Sequence, residues 1–222
     1  MADNVQLKDA FDDVFWARTK DIGGSNGPLH APVSVPFDQF GVPLFTPTNP
    51  GVHAEIDAVV AASFSRPANS TPYAIGNLIA NSTVAGSVVP LALPVGRIAG
   101  GSCRTNRARL TKTGVATANA IFRAHLYKIL PTPSHGDGAA WLTDQALAYF
   151  GSFTLDMTGA NARGFTDGVK IIATPDVGAE QIIETAQGTN ATRNVFALLE
   201  ARAVYVPASG ETFTLALEVK QN

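Results

Sequence analysis

The four histidines, His30, His53, His125 and His135, are the side chains of this sequence best suited to acid–base catalysis or metal binding. They are scattered along the chain, and His135 has one nearby acidic companion, Asp137, in the sequence H-G-D-G. Two such side chains are fewer than the three or four protein ligands that zinc requires. The H-G-D-G sequence is therefore interpreted as a polar turn, and we expect no metal and no other cofactor.

The acidic residues also give no support for an enzyme. The carboxylates of the C-terminal half are dispersed rather than paired as in glycosidases; they are Asp144, Asp156, Asp167, Asp176, Glu180 and Glu184. The glycine-rich stretch G-G-S-N-G (23–27) lacks the Lys-Ser/Thr of a phosphate-binding loop, so it is interpreted as a turn. We therefore expect a protein without enzymatic activity.

Basic residues are concentrated in G-R-I-A-G-G-S-C-R-T-N-R-A-R-L-T-K (96–112). Arg107 and Arg109 alternate with apolar residues, which is typical of a strand with one exposed face. The net charge is −2 and no aromatic residues lie between the arginines to stack on bases, so nucleic acid is not expected as a partner. The favoured interpretation is a strand whose outward residues are arginines. If these residues bind a partner, Arg104, Arg107 and Arg109 are expected to form ion pairs with a neighbouring subunit.

The N-terminal part of the 222-residue chain has the composition of an arm. Residues 28–50 contain six prolines, which favour extended backbone and exclude a central strand or a helix. Apolar residues lie among these prolines, whereas a solvated linker is poor in aromatics and rich in charge. We predict an extended arm over residues 1–65 that lies on another surface. Its candidate anchors are aromatic: Phe11, Phe15, Trp16, Phe37, Phe40 and Phe45.

Residues 66–222 are predicted to form an all-β domain, an antiparallel β-sandwich or jelly roll. Short apolar or alternating segments are separated by turn residues. The predicted strands are Tyr73–Ala80, Val84–Leu93, Cys103–Lys112, Ala120–Ile129, Phe150–Thr158, Val169–Ala173, Val195–Val206 and Thr212–Lys220. Residues 52–64 fit either a strand or a short helix.

Part of this domain resembles a group of small structural proteins of tailed bacteriophages. The resemblance covers about two thirds of the chain and consists of strand texture and turns rather than catalytic motifs. Cys103 departs from it, because it stands where those proteins usually have a glycine. The residues that carry the resemblance are Arg66-Pro67-Ala68, Thr71, Tyr73, Ala108-Arg109-Leu110, Phe122-Arg123, His125-Leu126-Tyr127, Pro131, Pro133, Gly151 and Pro207-Ala208-Ser209-Gly210.

The resemblance implies a structural role in the virion without catalysis. The expected function is that of a capsid decoration (cement) protein: a homotrimer, made in the host cytoplasm, that binds the major capsid protein on the outer capsid surface. No run of about 18 apolar residues is present, so no membrane partner is expected.

Two alternatives remain open at this stage. A tail, collar or head–tail connector component would have the same fold but another symmetry and copy number. A carbohydrate-binding virion module would need an exposed aromatic platform, for which Trp141, Tyr149 and Tyr127 are the candidates.

Overall fold

The computed structural model describes residues 55–222 and, as backbone, four short strands before them. The chain divides into two compact units, Met1–His53 and Ala54–Asn222. In the first unit, two antiparallel pairs are described: β1 with β2, and β3 with β4. Their bounds are β1 (Asn4–Lys8), β2 (Val14–Arg18), β3 (Lys20–Asp21) and β4 (His30–Ala31).

The second unit is built from eleven strands, and among its described residues the helices are four single 3₁₀ turns. The strands are β5 (Ile56–Ser65), β6 (Leu78–Ile79), β7 (Leu91–Leu93), β8 (Ser102–Lys112), β9 (Ile121–Tyr127), β10 (Tyr149–Asp156), β11 (Arg163–Phe165), β12 (Gly168–Ala173), β13 (Gln181–Glu184), β14 (Val195–Ala201) and β15 (Thr212–Gln221). The 3₁₀ turns are Ala85–Ser87, Ala146–Ala148, Gly159–Asn161 and Gly188–Asn190.

These strands form two antiparallel sheets with the strand order of a jelly roll. The larger sheet has the order β11-β12-β8-β15-β5, and β13 also pairs with β8. The smaller sheet has the order β10-β9-β14-β6, and β7 also pairs with β14. The first and last strands of the unit, β5 and β15, are neighbours, and the chain crosses repeatedly from one sheet to the other. The predicted all-β sandwich is therefore confirmed.

The core lies between the sheets because the main strands alternate apolar and polar residues. On β15, Phe213, Leu215 and Leu217 are fully buried, and polar residues between them face outward. Phe122 of the smaller sheet packs edge-on against Phe213 of the larger one, with ring centroids 5.3 Å apart. Burial of a side chain of this size contributes about 1.5–3 kcal/mol, so this interdigitated layer is what fixes the two sheets to each other.

Strands with strong alternation of apolar and polar residues were predicted accurately, and strands with weak alternation were not. Strands β8, β9, β10, β12 and β15 end within two residues of their predicted bounds. The predicted strand Tyr73–Ala80 is reduced to β6 and two isolated bridges, Tyr73 with Tyr205 and Asn77 with Ala140. Of the segment 52–64, the residues from Ile56 onward belong to β5, which pairs along its whole length with β15 and lies in the second unit, although the prediction assigned it to the arm.

Candidate interaction surface

The three candidate arginines, Arg104, Arg107 and Arg109, lie on β8 and face outward from the larger sheet. Arg104 and Arg107 are 47% exposed, and Arg109 is half-buried. Glu218, which lies beside them on β15, accepts a hydrogen bond from Arg109 Nε at 2.6 Å and forms an ion pair with Arg107 at 3.3 Å. The Glu218 carboxylate thus pairs with two guanidinium groups.

A β-bulge explains how all three arginines reach one face. Arg104 and Arg107 are three residues apart, and strict alternation would place them on opposite faces. The register of β8 against β15 shifts between Glu218 and Val219, so that Asn106 is an extra residue on β8. Alternation in the sequence predicted the outward arginines but contains no signal for this bulge.

The surroundings of the arginines form a shallow groove of about 430 Å³ with mixed charge. Arg104 lies 3.9 Å from both Glu55 and Glu180, and Asp57 and Lys220 also line the face. Exposed ion pairs of this kind contribute about 0–1 kcal/mol each, because water and salt screen them. Little free energy is therefore lost when these side chains exchange their present partners for charges on another molecule.

The candidate arm residues are described only in part. Phe15 and Trp16 lie on β2, where they pair with Leu7 and Gln6 of β1. The other four, Phe11, Phe37, Phe40 and Phe45, lie outside the described residues, so the prediction that they anchor the arm stays a prediction.

The H-G-D-G turn is part of a buried structural network. Asp137 accepts hydrogen bonds from the Tyr73 hydroxyl at 2.5 Å and the Ala80 amide at 2.9 Å, and it lies 3.3 Å from a terminal nitrogen of Arg66. Arg66 also donates through Nε to Tyr73 at 2.7 Å. His135 instead contacts the carbonyl oxygen of Ala140. The two side chains that could have shared a metal thus face different partners, and the region is a polar turn as predicted.

A second buried network lies next to the Arg66–Asp137 network and contains Lys112, the last residue of the basic segment 96–112. Lys112 and Glu211 are both fully buried, with Nζ and Oε1 3.1 Å apart. The Tyr205 hydroxyl donates to both oxygens of Glu211 at 2.8 Å, and its ring stacks on Tyr73 of the first network. Burial lowers the pKa of Lys112, although the Glu211 carboxylate acts in the opposite direction. Alternation along β8 places Lys112 on the same inward face as Ala108 and Leu110, but its charge gave no indication that the position is fully buried.

The three aromatics proposed for carbohydrate binding gather on the outer face of the smaller sheet, around His125. Trp141 packs on the His125 ring at 4.2 Å, and Tyr149 lies 5.8 Å from it. Tyr149 is exposed, Trp141 is half-buried and Tyr127 is buried. His125 donates a hydrogen bond through Nε2 to the Glu200 carboxylate at 2.8 Å. One face of the Trp141 ring therefore packs against His125 and is not available to a sugar. Tyr127 cannot contact a ligand because it is buried.

No protein-family model matches this sequence, and no curated protein matches it either. Its function must therefore be inferred from its own residues and geometry. Among the residues that the structure describes, no helix is long and apolar enough to cross a membrane, and no group of three or more His, Cys, Asp or Glu side chains is arranged to hold a metal ion.

Proposed function

We propose that this protein is a non-enzymatic structural protein of a tailed-bacteriophage virion, and specifically a capsid decoration protein that binds the major capsid protein as a homotrimer. The observation that carries the proposal is a jelly-roll body preceded by a separate N-terminal unit. Jelly rolls occur in viral capsid proteins, and also in lectins and cupins. The resemblance of residues 64–158 to phage structural proteins favours the first of these classes.

The body offers a suitable contact surface on its larger sheet. The outer face carries Arg104, Arg107 and Arg109 on one side and Ala61, Ser63 and small residues of β15 on the other. The ion pairs of this face are exchangeable, so it can dock against a charged surface of a lattice subunit. Each contact is weak, but the symmetric oligomer repeats it, and the combined binding to the capsid is strong.

The arm supplies the second contact. Its prolines predict extended backbone, and its aromatic residues, Phe37, Phe40 and Phe45 among them, can bury apolar area along capsid subunits or adjacent copies at about 25 cal/mol per Å². An extended segment can also add a strand to an exposed sheet edge. This contact accounts for the unusual combination of prolines with large apolar residues.

The test is binding of the full-length protein to capsids assembled from the major capsid protein. Deletion of residues 1–53, which ends at the boundary between the two units, is expected to lower the affinity at least about tenfold. Circular dichroism of the deleted protein controls for folding of the body. Unchanged capsid binding after this deletion would contradict the proposal.

A tail, collar or connector component is the second candidate, favoured by the same fold. It differs in copy number, because such parts occur as single small rings, whereas decoration proteins cover the shell. A glycan array tests the carbohydrate-binding alternative, for which Tyr149 and the open face of Trp141 are the available contacts.

A further inference from the structure

An apolar groove lies at the edge of the sandwich where the start of β10 approaches β13. Leu147, Tyr149 and Ile182 line it, together with the ion pair between Lys128 and Glu184, whose Nζ and Oε2 are 3.3 Å apart. Leu147 is as exposed as in an extended chain, at 106%, and Ile182 is 68% exposed. Two large aliphatic side chains are thus directed into solvent at one place.

A second groove of about 510 Å³ continues the first on the other side of Lys128. Ile129 and Leu130, both about half exposed, line it, and Phe196 lies at its wall. Lys128 lines both grooves, and the charged side chains that line them, Lys128 and Glu184, form an ion pair with each other. Apolar patches of this kind on a protein surface mark interaction sites.

The edge of the sheet beside these grooves is also open. Strand β13 pairs with β8 on one side, and no described strand pairs with its other side. An unpaired edge presents free backbone donors and acceptors, which an extended segment can satisfy by adding a strand. The surface therefore suits an apolar, extended occupant rather than a folded, charged one.

The composition of residues 32–50 of this chain predicts such an occupant. They include five prolines and seven large apolar residues, a single acidic residue, Asp38, and no lysine or arginine. Proline-rich extended segments dock in aromatic-lined grooves at low entropic cost, because their backbone is already restricted. Tyr149 and Phe196 supply the aromatic rings.

The groove and the strand that the segment precedes lie at different places on the larger sheet, so a contact between two copies through them is head to tail. The segment 32–50 precedes β5, and β5 and β13 lie on opposite sides of the β15–β8 pair in the larger sheet. At about 4.8 Å per strand, the groove is roughly 15 Å across the sheet from the strand that the segment precedes. A second copy placed head to tail can instead bring its own groove to the segment, and repeated head-to-tail contacts close into a ring.

We propose that the groove between β10 and β13 binds residues 32–50 of a second copy of this chain, and that this exchange of arms closes the oligomer. The inference rests on the assembly role proposed above for the arm, and it names the surface that the arm binds. It also gives a reason for the exposure of Leu147 and Ile182, which become buried in the oligomer.

Site-specific photocross-linking of the full-length protein tests the inference. Cys103 is fully buried, and burial raises its thiol pKa to about 12, so a maleimide reagent will leave it unmodified. Ile182→Cys is labelled with benzophenone maleimide, mixed with ¹⁵N-labelled copies, irradiated, digested and analysed by mass spectrometry. Cross-links from position 182 to residues 32–50 of the ¹⁵N-labelled copy are expected.

The matched control is Ile75→Cys, because Ile75 is similarly exposed, at 65%, and does not line the groove. It should give no cross-links to residues 32–50. Cross-links from position 182 to the same copy alone, or to other parts of the second copy, would overturn the proposal.

Sedimentation of the isolated protein provides a second readout. Leu147→Asp is expected to weaken self-association at least tenfold, and Ile75→Asp is expected to leave it unchanged. A wild-type protein that stays monomeric in solution would overturn this inference. If it still bound capsids, the decoration role would stand, so the two failures are distinguishable.

Discussion

Arg66 and the Arg104–Arg109 group show how differently the same side chain behaves in two regions of one sandwich. The side chain of Arg66 is 1% exposed and contacts Tyr73, Asn69, Ala208 and Asp137. Arg107 is 47% exposed and contacts Glu218. In the first region desolvation makes every lost contact costly, and in the second water replaces whatever is removed. Burial, more than the presence of an ion pair, separates a structural arginine from one that is available to a partner.

The comparison also separates the residues that hold the fold from those that can bind a partner. Arg66, Tyr73 and Asp137 come from separate segments of the chain and bind one another at one end of the sandwich. The exposed arginines and the apolar groove at Leu147 keep much of their side-chain surface in solvent, so they are available to another molecule.

The largest expected effect comes from breaking the Arg66–Asp137 network. Arg66→Met leaves the Asp137 carboxylate buried without its cation, which costs about 3–5 kcal/mol of unfolding free energy. Urea denaturation followed by fluorescence measures the loss. Tyr73→Phe, which removes one hydroxyl and keeps the ring, should cost less. A change below about 1 kcal/mol for Arg66→Met would mean that the network is not desolvated in solution.

A double-mutant cycle on the Lys112–Glu211 pair tests the same expectation, that a buried charge is costly when it loses its partner. Lys112→Met leaves Glu211 charged and buried, so we expect a loss of about 3–5 kcal/mol. Combining Lys112→Met with Glu211→Leu removes both charges together and should recover much of that loss. Urea denaturation of the two single variants and the double variant measures these free energies of unfolding. Strictly additive effects would contradict a direct buried interaction between the two side chains.

His125 is an intermediate case, because it and Glu200 are 12% and 9% exposed. Burial lowers the pKa of His125 below 6.5, although the Glu200 carboxylate raises it, and the nearby Arg123 and Arg202 lower it further. The unfolded state therefore binds more protons than the folded state around this pH. The free energy of unfolding should fall as the pH is lowered from about 7.5 through 6.5 toward the folded-state pKa.

Urea midpoints at several pH values between about 7.5 and 5 measure this dependence. His125→Gln should flatten it, and the exposed His135→Gln should leave it as in the wild type. Equal slopes for the wild type and His125→Gln would show that His125 does not titrate differently on folding.

The smallest effect on stability is expected for the exposed group. Arg107→Ala with Arg109→Ala should change the free energy of unfolding by less than about 1 kcal/mol, because each pair is screened by water. The same variant should weaken binding to capsids, and more so at low salt. A large loss of stability would mean that these arginines, like Arg66, hold the fold together, and they would no longer be candidates for the interface.

The sequence was informative wherever one face of a strand is buried. The alternation of Phe213, Leu215 and Leu217 predicted β15 and its inward residues, because period two is imposed by the pleat. On β8, alternation places Lys112 on the same face as Leu110, but it did not reveal that the charge is fully buried, since its partner Glu211 lies on a distant segment that only the fold brings near. The bulge at Asn106 likewise depends on the pairing of β8 with β15, and the short strand β13 depends on its pairing with β8, rather than on local sequence.

The most direct measurement of the proposed role is the number of copies per particle, by quantitative mass spectrometry of purified virions against the major capsid protein. A decoration lattice predicts copies in a simple ratio to the major capsid protein, equal to it or a small fraction of it. A count that amounts to one small ring per particle would contradict decoration and assign the protein to the tail or connector. Absence from washed virions would contradict a structural role in the virion altogether.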